Sequence, residues 1–320
     1  MKKIKPMLWI AFAIVVIAGI LISRNTGNLK SYTEEEFLFD TRCSITVYGK
    51  NGKESVKKAF NIASVIHHDT NYFDDSSIVS QINKTSAGVP TYAGEDIIEM
   101  IKLAKEVNKA SEGAFDITIA PLTHLWNIGG GRTAPPTGVE IETALAFVGR
   151  DDLVIDEEKM TVTKSYGGTE IDLGSVAKGY AADRVAECLR ELGVKAAIID
   201  FGGNIVTVGK NPKNRDGMWR VGLQKPFAVT GEYGKIVEIE EGAVVTSGAY
   251  QRYFEYEGWI FHHILDPVTG LPVQQNFSST TVVGESSALC DALSTAAYVM
   301  GEEKGKELVE KYGGELIVLE

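Results

Sequence analysis

The chain has 320 residues, enough for one large domain or two small ones. Apolar residues make up 44% of it, so it can bury a sizeable core. Its net charge of −11 argues against a protein that binds nucleic acid, and an anionic ligand would need a local lysine, backbone N–H groups or a metal.

The first thirty residues are predicted to form a signal or anchor segment and a linker, followed by a folded domain at 31–320. A basic start at 1–6 precedes an uninterrupted apolar run at 7–22, slightly shorter than the ~20 residues of a relaxed membrane span. No small-residue cleavage site and no lipid-accepting cysteine follows. The pattern favours an uncleaved anchor with the domain on the extracytoplasmic side of the cell membrane, and a cleaved signal is the alternative.

Hydrophobic periodicity in the first half of the domain predicts helices around a few strands. Residues 25–36 are predicted to be a polar linker, and the glycine- and proline-rich stretch 129–136 a loop. The other predicted elements are a strand at 37–48, helices at 55–69, 77–83, 96–111 and 141–148, and a hairpin at 153–163.

The second half reads mainly as strands, several of them joined by tight turns. The predicted strands are 196–200, 205–209, 219–223, 236–239, 243–246, 250–256, 260–265, 279–283 and 316–319, with one strong helix at 288–300. Helices and strands do not alternate regularly, which indicates an α+β fold with mainly antiparallel sheets and packed helices. Three widely spaced cysteines provide no disulfide framework, and Cys188 and Cys290 are predicted to be buried thiols.

The stretch 170–183 combines the end of a strand, a glycine turn and the start of a helix. Ile171 and Leu173 alternate with a polar residue, Ser175 is a good N-cap, and Lys178 lies in the first helical turn. Free N–H groups and the helix dipole favour an anion at such an end. An ordinary capped helix with a solvated lysine is the alternative, and the turn alone favours it.

Two further pairs carry candidate chemistry. Asp291 and Thr295 share one face of the last strong helix, where a carboxylate and a hydroxyl fit a Mg²⁺ site. A surface aspartate with a back-bonded threonine is the alternative. His263 and Asp266 lie three residues apart at a strand-to-turn corner, where the histidine is either a general base or bonded structurally to Asp266.

Seven motifs in this order resemble the ApbE family, the FAD:protein FMN transferases. They span about residues 37–301: Ser77-x-x-Ser80-x-x-Asn83, Gly113-Ala-Phe-Asp116, Ile171-Asp-Leu-Gly-x-x-Ala-Lys-Gly-Tyr180, Phe201-Gly-Gly-Asn204, Thr246-Ser-Gly248, His263-Ile-Leu-Asp-Pro267 and Asp291-x-x-x-Thr295. No single motif is specific, but the ordered set is.

The resemblance implies a T-fold-like ApbE architecture and a Mg²⁺-dependent reaction with FAD as the substrate. FMN would be joined through its phosphate to a Thr or Ser of an acceptor flavoprotein, with loss of AMP. The Ser175 carbonyl, Asp291 and Thr295 would hold Mg²⁺. His263, Asp266 and Lys178 would act in catalysis, with the choice of base open. The FAD contacts implied in the same way are Phe39, Phe73, Asn83, Ala114, Phe115, Asp116, Asp172, Lys178 and Leu265.

The sequence also departs from the family. The first strand carries Phe39-Asp40-Thr41 where relatives often have Met-Gly-Thr, which leaves the Phe39 contact in question. The acceptor motif is absent, so the chain is expected to modify another protein. By family analogy that protein would be a subunit of an Rnf-type or sodium-pumping NADH:quinone reductase, or an extracellular flavin reductase. An FAD pyrophosphatase and a non-catalytic flavin-binding surface protein are the alternative functions.

Overall fold

The computed structural model describes residues 30–149, 153–229 and 231–320. Nearly all of the predicted anchor at 1–30 therefore lies outside the described residues. Among the helices that are described, none is both long and apolar enough to cross a membrane.

The described elements alternate irregularly between strands and helices. In chain order they are β1 Ser31–Leu38, β2 Thr41–Tyr48, α1 Gly52–Thr70, α2 Ile78–Lys84, β3 Thr91–Tyr92, α3 Gly94–Ala110, a 3₁₀ turn Ile117–Ile119, α4 Ala120–Trp126, α5 Gly138–Leu145, β4 Leu153–Asp156, β5 Thr161–Lys164, α6 Ala177–Glu191, β6 Ala197–Phe201, β7 Asn204–Val208, β8 Trp219–Gln224, β9 Tyr233–Ile239, β10 Gly242–Gly248, β11 Tyr253–Tyr256, β12 Trp259–His262, β13 Ser279–Gly284, α7 Ser287–Met300, α8 Glu302–Lys311 and β14 Glu315–Leu319.

A seven-stranded sheet organises the molecule, in the order β1-β2-β6-β7-β10-β13-β14. Every neighbouring pair in it is antiparallel, and three small antiparallel sheets accompany it. The predicted α+β class with mainly antiparallel sheets is confirmed.

The two faces of the central sheet are covered differently. Successive side chains of β6 point to opposite faces, as the period of two requires. Ile199 packs in the large core with the helices, whereas Ile198 packs in a second core with Trp219 and the rest of the β8–β9 hairpin. Helices α1, α6 and α7 therefore lie on one face and the β8–β9 hairpin on the other.

Helices α6 and α7 approach very closely at Gly179. A Cβ atom at this position would lie 2.3 Å from the carbonyl oxygen of Ser287, so only glycine allows the contact. One turn further along α6, Asp183 accepts hydrogen bonds from the Ser287 and Ala288 N–H groups, both at 2.9 Å, and caps α7. The contact and the cap together fix the first turns of the two helices against each other.

Several local predictions are wrong. Residues 31–38 form edge strand β1 rather than part of a linker, because their alternation is hidden by a run of glutamates. Residues 171–173 belong to no strand, and Val176 rather than Ser175 occupies the N-cap position of α6. Helix α8 was not predicted. Cys290 is a buried free thiol as predicted, whereas Cys188 is only partly buried.

Candidate active site

Lys178 is held at the start of α6 by two oxygen atoms. Its Nζ donates to the Gly174 carbonyl at 3.1 Å and lies 3.5 Å from Asp291 Oδ1. The side chain is 24% exposed, so it is neither buried nor the freely solvated lysine of the alternative interpretation. The structure thus brings together two predicted site residues that are more than a hundred positions apart in sequence.

Asp291 is a buried carboxylate aimed at the N-terminus of α6. It is 2% exposed, and its Oδ2 accepts a hydrogen bond from the Gly179 N–H at 3.0 Å. Burial raises the pKa of Asp291, while Lys178 and the Gly179 N–H oppose that rise. The surface aspartate of the alternative interpretation is therefore wrong. The N-terminus predicted to bind an anion already carries one from its own chain.

Thr295 lies one turn beyond Asp291 on α7. Its hydroxyl donates to the Asp291 carbonyl at 3.2 Å and lies 3.1 Å from the Ser247 hydroxyl. Ser247 in turn lies 2.8 Å from the hydroxyl of Ser294. Thr295 is therefore back-bonded, as the alternative interpretation expected, but strand β10 also fixes its hydroxyl.

The donor set at this place suits a hard divalent cation. The Gly179 N–H is directed to Asp291 rather than to the Ser175 carbonyl four residues earlier, which leaves that carbonyl oxygen available. With the Asp291 carboxylate and the Thr295 hydroxyl, it would provide three oxygen donors. Within the described ranges, no group of three or more His, Cys, Asp or Glu side chains could hold a metal, so such a site would rely on one carboxylate.

The turn before α6 is braced from several sides. Asp172 accepts from the Gly174 N–H at 2.8 Å and from the Thr123 hydroxyl at 3.2 Å. Asn83 pairs with both backbone groups of Ile171, at 2.8 and 2.9 Å. Asp172 and Asn83 thus fix the backbone that leads to Lys178. This structural role is additional to the FAD contacts predicted for both residues.

His263 lies on the chain just after β12 and is half-buried. Its Nδ1 is 3.3 Å from the Arg252 carbonyl oxygen. Burial, with added repulsion from the Arg252 guanidinium, His262 and Lys178, holds the pKa of His263 well below its usual range. The lowered pKa, which comes mainly from burial, keeps the imidazole neutral near pH 7.

Asp266 does not orient His263. Its two carboxylate oxygens accept from the Val268 N–H at 2.8 Å and the Thr269 hydroxyl at 3.1 Å. Both bonds lie within the turn that contains Asp266. The described residues therefore show no structural bond between His263 and Asp266, which the alternative interpretation of the sequence predicted.

An aromatic cleft lies beside the chain that leads into α6, where Asn83 bonds to Ile171. It has a volume of about 240 Å³, and its lining includes Phe73, Asn83, Tyr72 and Glu170. The Phe73 ring is 73% exposed and packs edge-on against Tyr72, whose hydroxyl bonds to Glu170. Sequence reasoning missed Tyr72 and Glu170, although they adjoin the predicted Phe73 and Ile171.

The remaining predicted FAD contacts are spread over the surrounding cores. Phe39 takes a left-handed φ of 52° in the β1–β2 turn, and its N–H donates to His67 Nδ1 at 3.1 Å. Phe115 is buried in the main core, Leu265 packs with Leu122 and Trp126, and Ala114 is partly exposed. Asp116 accepts from the Thr118 N–H and hydroxyl, both at 2.7 Å.

The described architecture is that of solved ApbE proteins. A crystal structure of the ApbE protein from Thermotoga maritima matches with a TM-score of 0.82 at 29% identity, over 90% of this chain and 94% of that one. The flavin transferase ApbE from Vibrio cholerae matches with a TM-score of 0.78 at 28% identity, over 91% and 93%.

Sequence comparison identifies the family. The protein-family sequence model described as the ApbE family matches residues 39–319 of the chain. The FAD:protein FMN transferase of Klebsiella pneumoniae (strain 342) is 37% identical over 229 residues, which are 72% of this chain and 70% of the relative. That of Treponema pallidum (strain Nichols) is 28% identical over 320 residues, 95% and 88% of the two chains. The chain belongs to the ApbE family.

Proposed function

We propose that this protein is an FAD:protein FMN transferase, which moves FMN from FAD to a threonine or serine hydroxyl of an acceptor flavoprotein and releases AMP. The observation that carries the proposal is the contact of Asp291 with Lys178 and the Gly179 N–H at the start of α6, with Thr295 one turn beyond Asp291 on α7, in a member of the ApbE family. Such a place combines a lysine with oxygen ligands suited to a divalent cation, and phosphoryl transfer uses such positive charges for positioning and charge neutralisation.

The Ser175 carbonyl, Asp291 and Thr295 would hold Mg²⁺. When bound, the ion supplies charge neutralisation at the pyrophosphate of FAD. Lys178, which contacts the Gly174 carbonyl and Asp291, would provide a second positive charge for the pyrophosphate. Asp172 and Asn83 keep the backbone before α6 in place for this task.

His263 is the residue that we assign as the general base. When its Nδ1–H donates to the Arg252 carbonyl, Nε2 carries the lone pair that can accept the proton of the acceptor hydroxyl. Its depressed pKa keeps it in this unprotonated form near neutral pH. Asp266 is the other candidate, and its two internal hydrogen bonds make it the less available of the two.

One experiment separates transfer from the two alternative functions. The chain is incubated with FAD, Mg²⁺ and candidate acceptor flavoproteins, and intact masses and nucleotide products are measured. Transfer adds the mass of an FMN phosphoester to the acceptor and releases AMP. Free FMN with AMP would indicate a pyrophosphatase, and retained FAD without turnover would indicate a flavin-binding protein.

The partner and the location belong to the same proposal. The acceptor would be a subunit of an Rnf-type or sodium-pumping NADH:quinone reductase, or an extracellular flavin reductase, and the apolar run at 7–22 would anchor the domain outside the cytoplasm. The chain should then sediment with membranes. Sequencing of the mature N-terminus tests this, since a start downstream of residue 22 would instead show a cleaved signal.

A further inference from the structure

Asn204 is a buried polar side chain whose hydrogen-bonding groups are unused. It is the first residue of β7 and is 1% exposed. Neither its amide nitrogen nor its amide oxygen has a hydrogen-bond partner in the part of the chain that the structure describes. In the preceding turn, the Gly203 N–H donates a hydrogen bond to the Asp200 side chain at 2.9 Å.

An unused buried amide is costly. Leaving a buried donor or acceptor unsatisfied destabilises the folded state, and native proteins pair most such groups. An apolar residue of the same size would avoid the cost at this position. The presence of asparagine therefore indicates that its amide has a function other than a hydrogen bond within the described chain.

The surroundings of the amide indicate what that task is. Strand β7, which begins at Asn204, packs against both α6 and α7. The Asn204 amide is near enough to the Asp291 carboxylate to interact with it, although the two do not reach hydrogen-bond geometry. On its other sides the same carboxylate meets Lys178 and the Gly179 N–H. Asn204 is thus a further polar group facing the carboxylate, and it comes from the sheet rather than from α6.

We propose that Asn204 is a positioning residue of the divalent-cation site: when the cation is bound, its amide N–H would donate to the Asp291 carboxylate and orient that carboxylate toward the metal. Groups that hydrogen-bond a metal ligand fix its orientation, and their loss typically weakens metal affinity by about 10–100-fold. The inference rests on the proposed metal site of Ser175, Asp291 and Thr295. It also gives a role to the Phe201-Gly-Gly-Asn204 motif, to which sequence reasoning assigned none.

The test replaces Asn204 with leucine, which has nearly the same size and no polar atoms. Full-length protein in detergent is melted across a Mg²⁺ titration and in EDTA, and Mg²⁺ binding is measured by calorimetry. In Asn204→Leu the Mg²⁺ concentration for half-maximal stabilisation should rise about 10–100-fold. The melting temperature in EDTA should stay the same or rise, because an unsatisfied buried amide is removed.

Ser287→Ala is the matched control. The Ser287 hydroxyl is also buried without a partner in the described ranges, and it lies on α7 one turn before Asp291. This variant should keep the wild-type Mg²⁺ midpoint. Asn204→Ala serves as a second variant if leucine prevents folding, with the same expected shift in midpoint.

The outcomes separate this inference from the proposed function. A wild-type Mg²⁺ midpoint in Asn204→Leu and Asn204→Ala, with or without a lower melting temperature in EDTA, would overturn the role of Asn204 and leave the metal site standing. The absence of any Mg²⁺ response in the wild-type protein would overturn both.

Discussion

At the scale of single residues, the charge of Asp291 is the feature from which most consequences follow. Its carboxylate is buried, is paired with Lys178 and a backbone N–H, and shares a helix face with Thr295. A buried charge lowers the free energy of unfolding unless an opposite charge and hydrogen bonds of favourable geometry compensate for its lost hydration. The residue therefore links metal binding, FAD binding and stability, and variants can separate the three.

Asp291→Asn should weaken the response to Mg²⁺ without unfolding the protein. Asparagine keeps the shape and can still accept from the Gly179 N–H, but the anionic ligand is lost. Loss of a direct ligand should raise the Mg²⁺ requirement of FMN transfer by at least the ~10–100-fold seen for supporting groups. Melting in EDTA should change little, because the removed charge was costly to bury. Asp216→Asn, an exposed carboxylate, is the control, and an unchanged Mg²⁺ titration of transfer in Asp291→Asn would contradict the metal role.

Lys178→Ala should act on both FAD and Asp291. The loss of one charge-assisted contact should weaken FAD binding, or the transfer of FMN from FAD, by about 1.5–3 kcal/mol. The variant should also be destabilised in EDTA, because Asp291 loses its cationic partner. The double variant with Asp291→Asn should recover part of that stability. Urea unfolding of the four proteins measures the coupling, and purely additive effects would show that the 3.5 Å pair carries no energy.

At the scale of elements, the site depends on how closely α6 and α7 approach. Gly179 lets the helices touch, and Asp183 caps α7 from the side of α6. Burial raises the pKa of Asp183, while the N–H groups of α7 and the Ser286 hydroxyl oppose that rise. The two helices form the unit that holds Lys178 next to Asp291.

Gly179→Ala should break this unit. The added Cβ would lie 2.3 Å from the Ser287 oxygen, so the helices must separate. Overpacking of this kind costs about 1–3 kcal/mol, and transfer should fall as well because Lys178 moves away from Asp291. Urea unfolding and transfer assays measure the two effects. Gly138→Ala is the control, since a Cβ there meets nothing within 4 Å and glycine is a poor helix former. A variant at Gly179 as stable and active as wild type would contradict the close contact.

At the scale of the whole molecule, several histidines make stability depend on pH. Burial lowers the pKa of His67, His262 and His263 below the ordinary value for histidine. A base whose pKa is lower in the folded state contributes stability that is fully present above its unfolded pKa of 6.5. That contribution is lost as the pH falls toward the folded pKa, because the unfolded chain binds the proton first.

His67→Asn isolates one of these contributions. His67 accepts the Phe39 N–H through Nδ1, and the asparagine oxygen can accept the same bond without titrating. The free energy of unfolding should fall less steeply for the variant than for wild type as the pH drops from about 7 to about 5. Chemical denaturation across this range measures the difference. Parallel pH profiles of the two proteins would show that the His67 pKa is not lowered by folding.

The local hydrophobic periodicity of the sequence determined many of the strands and helices of this protein. Alternation or helical spacing in the chain was enough to predict β2, β6, β13, α1, α3 and α7, because such faces must be buried whatever packs on them. The glutamates of β1 and the charges of α8 masked weaker patterns at the edge of the molecule. The ordered motifs were enough to predict the family, since each motif specifies a local backbone conformation and the side chains that it carries.

Only the tertiary structure decided which groups meet. No local pattern states that β2 lies beside β6, that Gly179 contacts Ser287, or that Asn204 faces Asp291. Each of these contacts joins segments far apart in the chain, and close packing of the sheet and helices sets them. The same packing buries Asp291 against Lys178, and so turned a lysine that the turn alone marked as solvated into part of a charged site.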